Sequence, residues 1–347
     1  MQYARTESQT LKFSARQQMP ALNAAAAEKI WKNLSTKFSA TSLLCISDGT
    51  QTLQPQEKTH MEMNNFYYQV DKLFEEKKLK EAEDFMKETL AQAEAESDAG
   101  AVITACNELG GYYRAVSRYS EGIPLYEKAL RLMREMGLER SEHYGTTLVN
   151  FATTYTMAGD VVKALNLYTE AAEIFAEAGL GADYRLATLF NNMSFLCQDL
   201  GDYPQAQEYL EKALFILKGL EESESEIAIT YSNLANVYLA TGQMDEAKVT
   251  VKKAIDLFLS ESGDSDVHYA GAVCTLGEIY YKEADYEKAA KLFREAMKLN
   301  ERDYGADNLS YAVLCENLAL CLKASGNDEE AASLKQTAAD IKKRIAI

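Results

Sequence analysis

The chain has 347 residues, 47% of them hydrophobic, with 36 basic against 53 acidic side chains and a formal net charge of -17. This acidic excess repels phosphate backbones, and no basic patch offsets it, so nucleic acid is not expected as a partner. No run of about 18 apolar residues occurs, which argues against a membrane span.

Residues 1–60 stand apart, with seven basic against four acidic residues, two of the four prolines and the one tryptophan, Trp31. Ala21 to Phe38 has the composition of one short helix, and Thr50 to His60 reads as a linker. No apolar stretch follows the early basic residues, as a secretory signal would require. The segment is expected to be a flexible tail or leader; its acid-poor, Arg- and Ser-containing character is also that of a mitochondrial presequence.

From residue 61 to 347 the chain repeats. Val70, Gly110, Ala152, Ser194, Ala235, Gly277 and Ala319 form a column of mostly small residues spaced 40, 42, 42, 41, 42 and 42 positions apart. A second column lies twelve residues later, Ala82 through Ala331, and a third seven after that, Thr89 through Ala338. Self-similarity at this period marks a solenoid built from units at about 64–98, 99–140, 141–180, 181–222, 223–264, 265–305 and 306–347.

Each unit splits into two helices. In the fifth, Ile227, Tyr231, Leu234, Ala235 and Tyr238 recur at three and four, the spacing of one buried helix face. Gly242 then stops the helix, and Ala247, Val251, Ala254 and Ile255 carry the next one inward. Gly159, Gly201 and Gly326 occupy the same stop position, whereas Lys77, Ser117 and Ala284 depart from it. Small residues recur where helix axes must approach to about 8–10 Å, and the large residues three positions after the first column fill the remaining space.

These columns resemble the tetratricopeptide repeat. Leu109-Gly110-x2-Tyr113, Leu234-Ala235-x2-Tyr238 and Leu276-Gly277-x2-Tyr280 carry the first half of its pattern, and Tyr203 to Ala206 and Tyr286 to Ala289 the second. Cys106, Leu148, Phe190, Tyr231, Val273 and Cys315 stand where the family often has tryptophan. The unit of about 42 residues is similar to the longer-helix subclass of kinesin light chains and many bacterial proteins. The resemblance implies an all-α fold, a right-handed superhelical solenoid of seven antiparallel helix pairs, with the first helix of each pair lining the concave face.

On that face, two residues before the small column, lie Asn150, Asn192, Asn233 and Asn317, with Glu108 and Thr275 completing the row. Asparagine in mid-helix costs about half a kcal/mol relative to alanine, so its recurrence calls for a compensating bond. A carboxamide both donates and accepts, which matches an extended peptide backbone. A similar asparagine ladder holds peptides in kinesin-light-chain-like proteins; the alternative is that each amide bonds a neighbouring helix and stiffens the stack. Asn107, Asn191, Asn236, Arg114, Phe195 and Tyr281 are expected on the same wall.

The chemistry of catalysis is missing. No phosphate-cradling glycine loop, dinucleotide fingerprint, nucleophile elbow or metalloprotease helix occurs. The six cysteines form neither C-x-x-C pairs nor metal-ligand spacing, which fits small core residues in a reducing compartment. The reading is therefore a cytoplasmic, non-enzymatic scaffold without cofactor or metal, binding another protein through an extended peptide segment. Self-association is left open by the sequence. The runner-up is a peptide-responsive regulator acting on a separate output protein.

Overall fold

In the computed structural model the described residues are 55–179 and 183–345, and among them there are fourteen helices and no strand. The chain divides into two compact units, described here over 55–179 and 183–345. The short helix expected over Ala21 to Phe38 and Cys45 lie outside the described residues.

The first unit holds three helix hairpins: α1 (Pro55–Glu75) with α2 (Leu79–Ala95), α3 (Ala99–Ala115) with α4 (Tyr119–Glu135), and α5 (Glu142–Ala158) with α6 (Val161–Glu177). Helix α1 starts at Pro55, inside the stretch expected to be linker; proline suits a first turn because its missing N–H has no helical acceptor there anyway. The second unit holds four hairpins: α7 (Tyr184–Asp199) with α8 (Tyr203–Leu217), α9 (Glu224–Ala240) with α10 (Met244–Glu261), α11 (Tyr269–Lys282) with α12 (Tyr286–Tyr304), and α13 (Leu309–Ala324) with α14 (Asp328–Ile345).

The hairpins close on the expected turn. Gly159, Gly201, Gly242 and Gly326 all have φ near +80°. Lys77, Ser117 and Ala284 adopt the same left-handed geometry, at φ 59°, 60° and 61°, despite carrying a Cβ. Several second helices are then capped by an aspartate one position beyond this residue. Asp160, Asp202 and Asp285 each accept from the backbone N–H three residues on, at 3.2 Å. This cap occupies one of the unpaired amides that every helix start exposes.

The small columns sit where helices cross. A Cβ on Gly110 would lie 2.7 Å from Cζ of Tyr126 on the hairpin partner, and one on Gly277 would lie 3.0 Å from the Phe293 ring. Ala152, Ser194, Ala235 and Ala319 occupy the equivalent place fully buried. Column tyrosines are covered by cations: Lys248 from α10 and Lys288 from α12 stand 4.4 and 5.2 Å from the centre of the Tyr280 ring. Cys106, Cys197, Cys274, Cys315 and Cys321 are free and buried, and burial raises each thiol pKa.

Within each unit the first helices of successive hairpins touch one another, α3 with α5 in the first unit and α7 with α9, α9 with α11 and α11 with α13 in the second. A stack whose first helices are closest curves toward them, so they form its inner wall.

Candidate functional site

In the first unit the wall residues come from α3 and α5. Arg114, 8% exposed, reaches across to α5, where its Nη1 donates to the backbone carbonyl of Asn150 at 3.1 Å and lies 3.4 Å from Asn150 Oδ1. Asn107 donates to the Ile103 carbonyl one turn back, and its buried Oδ1 receives no hydrogen bond. Glu108, in the ladder position, has its pKa pushed up to about 7, mainly by burial and also by the Asp71 carboxylate, with Arg114 opposing.

In the second unit the asparagines join neighbouring first helices. Asn191 on α7 donates through Nδ2 to Thr230 Oγ1 on α9 at 2.9 Å, and its Oδ1 accepts from Asn233 Nδ2 at 3.1 Å. One step along, Thr275 on α11 donates to Asn236 Oδ1 on α9 at 2.7 Å. These bonds span |i−j| of 39 to 42 residues, one repeat, so they tie unit to unit. Thr230 and Thr275 are buried, at 0% and 1% exposure. Sequence reasoning placed Thr275 in the row but missed Thr230, whose signal is its position one helical turn before Asn233.

The four ladder asparagines therefore sit in different surroundings. Asn150 accepts from Arg114, and Asn233, 5% exposed, is tied to Asn191. Asn317 is 1% exposed, lies beside Cys274, and its Nδ2 finds no acceptor. Asn192 is half-buried, and its amide has no hydrogen-bonding partner among the described residues. Phe195 and Tyr281 are half-buried on the same helices, Tyr281 with its ring 5.5 Å from that of Tyr286. Between α9, α11, α12 and α13, Asn233 also walls a half-open pocket of about 100 Å³.

No described helix is long and apolar enough to cross a membrane, and no group of three or more His, Cys, Asp or Glu side chains among the described residues could hold a metal ion.

A family model for the tetratricopeptide repeat matches residues 100–177, 184–260 and 269–344. Among curated proteins, Protein KINESIN LIGHT CHAIN-RELATED 3 of Arabidopsis thaliana is 25% identical over 227 residues, covering 65% of this chain and 35% of its own length. Anaphase-promoting complex subunit CDC16 of Saccharomyces cerevisiae is 23% identical over 240 residues, 62% of this chain and 27% of its own. The chain thus spans about a third of the length of the curated relatives it matches. Among solved structures, apo RapI superposes with a TM-score of 0.65 at 16% identity, covering 82% of this chain and 99% of that one. The quorum sensor NprR of B. thuringiensis, in its apo form, gives 0.57 at 14% identity over 91% and 93%. Matched by the family model over most of its length, the chain belongs to the tetratricopeptide repeat family.

Proposed function

We propose that this chain is a non-enzymatic interaction scaffold that holds an extended peptide segment of a partner protein, and that the first helices of the second unit, α7, α9, α11 and α13, carry the contact. The observation behind this reading is the division of labour among neighbouring amides. Asn191, Asn233 and Asn236 hold the wall together, while Asn192 keeps its donors and acceptor unspent among the described residues. A polar group left unpaired at a half-buried position gains most when a ligand supplies its partner. NprR, whose fold matches 90% of this chain at a TM-score of 0.55, is solved in complex with its cognate peptide NprX, which supports the same use of the fold.

A few hydrogen bonds at about 1 kcal/mol each and one or two apolar anchors at about 2 kcal/mol, less several kcal/mol of ordering, correspond to micromolar affinity. The test is to select peptides against the full chain from a random displayed library and to measure their binding to Asn192→Ala. About tenfold weaker binding with an unchanged melting temperature is expected; undiminished binding overturns the reading.

The likeness to NprR favours a second reading, a peptide-responsive regulator that acts on a separate protein. It expects a bound peptide to change hydrogen exchange in helices it does not touch, whereas a simple scaffold expects protection confined to the contact.

A further inference from the structure

The pocket walled by Asn233 has a polar lining whose orientation is fixed by the backbone. Thr230 donates its hydroxyl to the Glu226 carbonyl at 2.7 Å, so toward Asn191 it can only accept. Asn191 must then present Nδ2 to Thr230 and Oδ1 to Asn233. Asn233 answers with Nδ2, which leaves its own Oδ1 without a donor. Asn300, which also lines the pocket, is held by Asn308, which accepts from the Tyr311 N–H through Oδ1 at 2.9 Å and donates through Nδ2 to the Gly305 carbonyl at 2.6 Å and to Asn300 Oδ1 at 3.0 Å. Asn300 is thereby left with a free Nδ2.

Asn233 and Asn300 are 5% and 7% exposed, and both line the pocket together with Ser232, 6% exposed, whose hydroxyl has no partner among the described residues. One acceptor, one donor and one hydroxyl able to do either are thus unspent on residues lining a single pocket. None of these three atoms is sealed from solvent, so each is open to an entering group.

We infer that this pocket is a binding site for a primary carboxamide, the head group of a glutamine or asparagine side chain in the bound peptide. The group's NH2 donates to Asn233 Oδ1 and its carbonyl accepts from Asn300 Nδ2, while Ile229 and Leu314 flank the methylenes. No Lys, Arg, Asp or Glu lines the cavity, so a carboxylate or ammonium entering it would lose its hydration without a counter-charge.

This inference rests on the peptide-holding reading, but its test does not depend on a peptide. Propionamide, propionate and toluene are titrated into the full chain with asparagine side-chain amides labelled for NMR. Propionamide is expected to shift the Asn233 and Asn300 amides saturably, and Ser232→Val or Ala270→Leu, which fill the pocket from opposite sides, to abolish the shifts. Equal or larger shifts from propionate or toluene, or propionamide shifts that survive both fillings, overturn the assignment. Library-selected peptides are expected to carry a recurrent Gln or Asn that the filled variants no longer select. Peptides that bind, weaken on Asn192→Ala and show no such preference overturn the pocket alone; peptides indifferent to Asn192→Ala overturn the groove while the propionamide result stands.

Discussion

Two buried glutamates illustrate how position in the repeat decides the sign of a charge's effect. Glu83, 3% exposed on α2, receives Lys87 Nζ at 2.6 Å, Arg118 Nη1 at 2.9 Å and the Tyr113 hydroxyl at 3.2 Å. Burial by itself would raise its pKa, but the donors from Arg118 and Lys87 outweigh it and hold the carboxyl at about 2. The folded pKa lies below the unfolded one, so the stabilisation is full above about pH 4.5 and drains away as pH falls toward 2. Glu83→Gln is expected to lose about 2 kcal/mol at pH 7, after discounting for the exposed ends of Lys87 and Arg118, and to flatten the acid limb of a melting-temperature profile. Glu278 on α11 behaves oppositely. It is 7% exposed, its Oε1 has no donor, and burial pushes its pKa up to about 7 against the opposing Lys282. Between about pH 4.5 and 7 the unfolded chain ionises first, so stability falls as pH rises and the loss is complete above about 7. Glu278→Gln is therefore expected to match the wild type at pH 5 and to exceed it by about 2–3 kcal/mol at pH 8, read by denaturant titration at the two values.

At the scale of the helix hairpin, the crossing point and the turn make opposite demands on side-chain size. At Gly110 and Gly277 an added methyl would press on the ring of Tyr126 or Phe293, whereas Ala152, Ser194, Ala235 and Ala319 fill the equivalent place fully buried. Gly110→Ala forces a methyl to within 2.7 Å of the Tyr126 ring and is expected to lower stability by about 1–3 kcal/mol. At the turn, Ala284 holds φ at 61°, a conformation that costs an alanine roughly 1–2 kcal/mol and a glycine nothing. Ala284→Gly is expected to raise stability by about 1 kcal/mol once the extra chain entropy of glycine is subtracted, which a small rise in melting temperature reports.

Taken whole, the second unit should be least stable at its end. Helix α14 packs mainly on α13, with Arg294 of α12 pairing to Glu330 at 2.8 Å, and is anchored near its C-terminus by Lys342 to Glu316 at 2.7 Å and Arg344 to Asp307 at 2.8 Å, ion pairs with exposed or half-exposed partners. Such pairs contribute little, and among the described residues no helix follows α14 to cover its outer face. Backbone amides of α14 are expected to exchange with deuterium well before those of α9 and α11, which are packed on both sides; equal protection would contradict nearest-neighbour stacking.

What the sequence determined by itself is the repeat. Helix-period spacing, the small columns and the turn position are local rules, repeated in every unit, so each is visible seven times over even where Ala284 or Ser117 breaks the composition. The direction of each amide is not a local property. Asn191, Asn192 and Asn233 look alike in the chain, yet two of them bond across helices and one does not, because partners about 40 residues away, Thr230 among them, are placed only when neighbouring hairpins stack. The pocket between α9, α11, α12 and α13 likewise depends on which amide atoms that stacking leaves unspent, and only tertiary structure decides it.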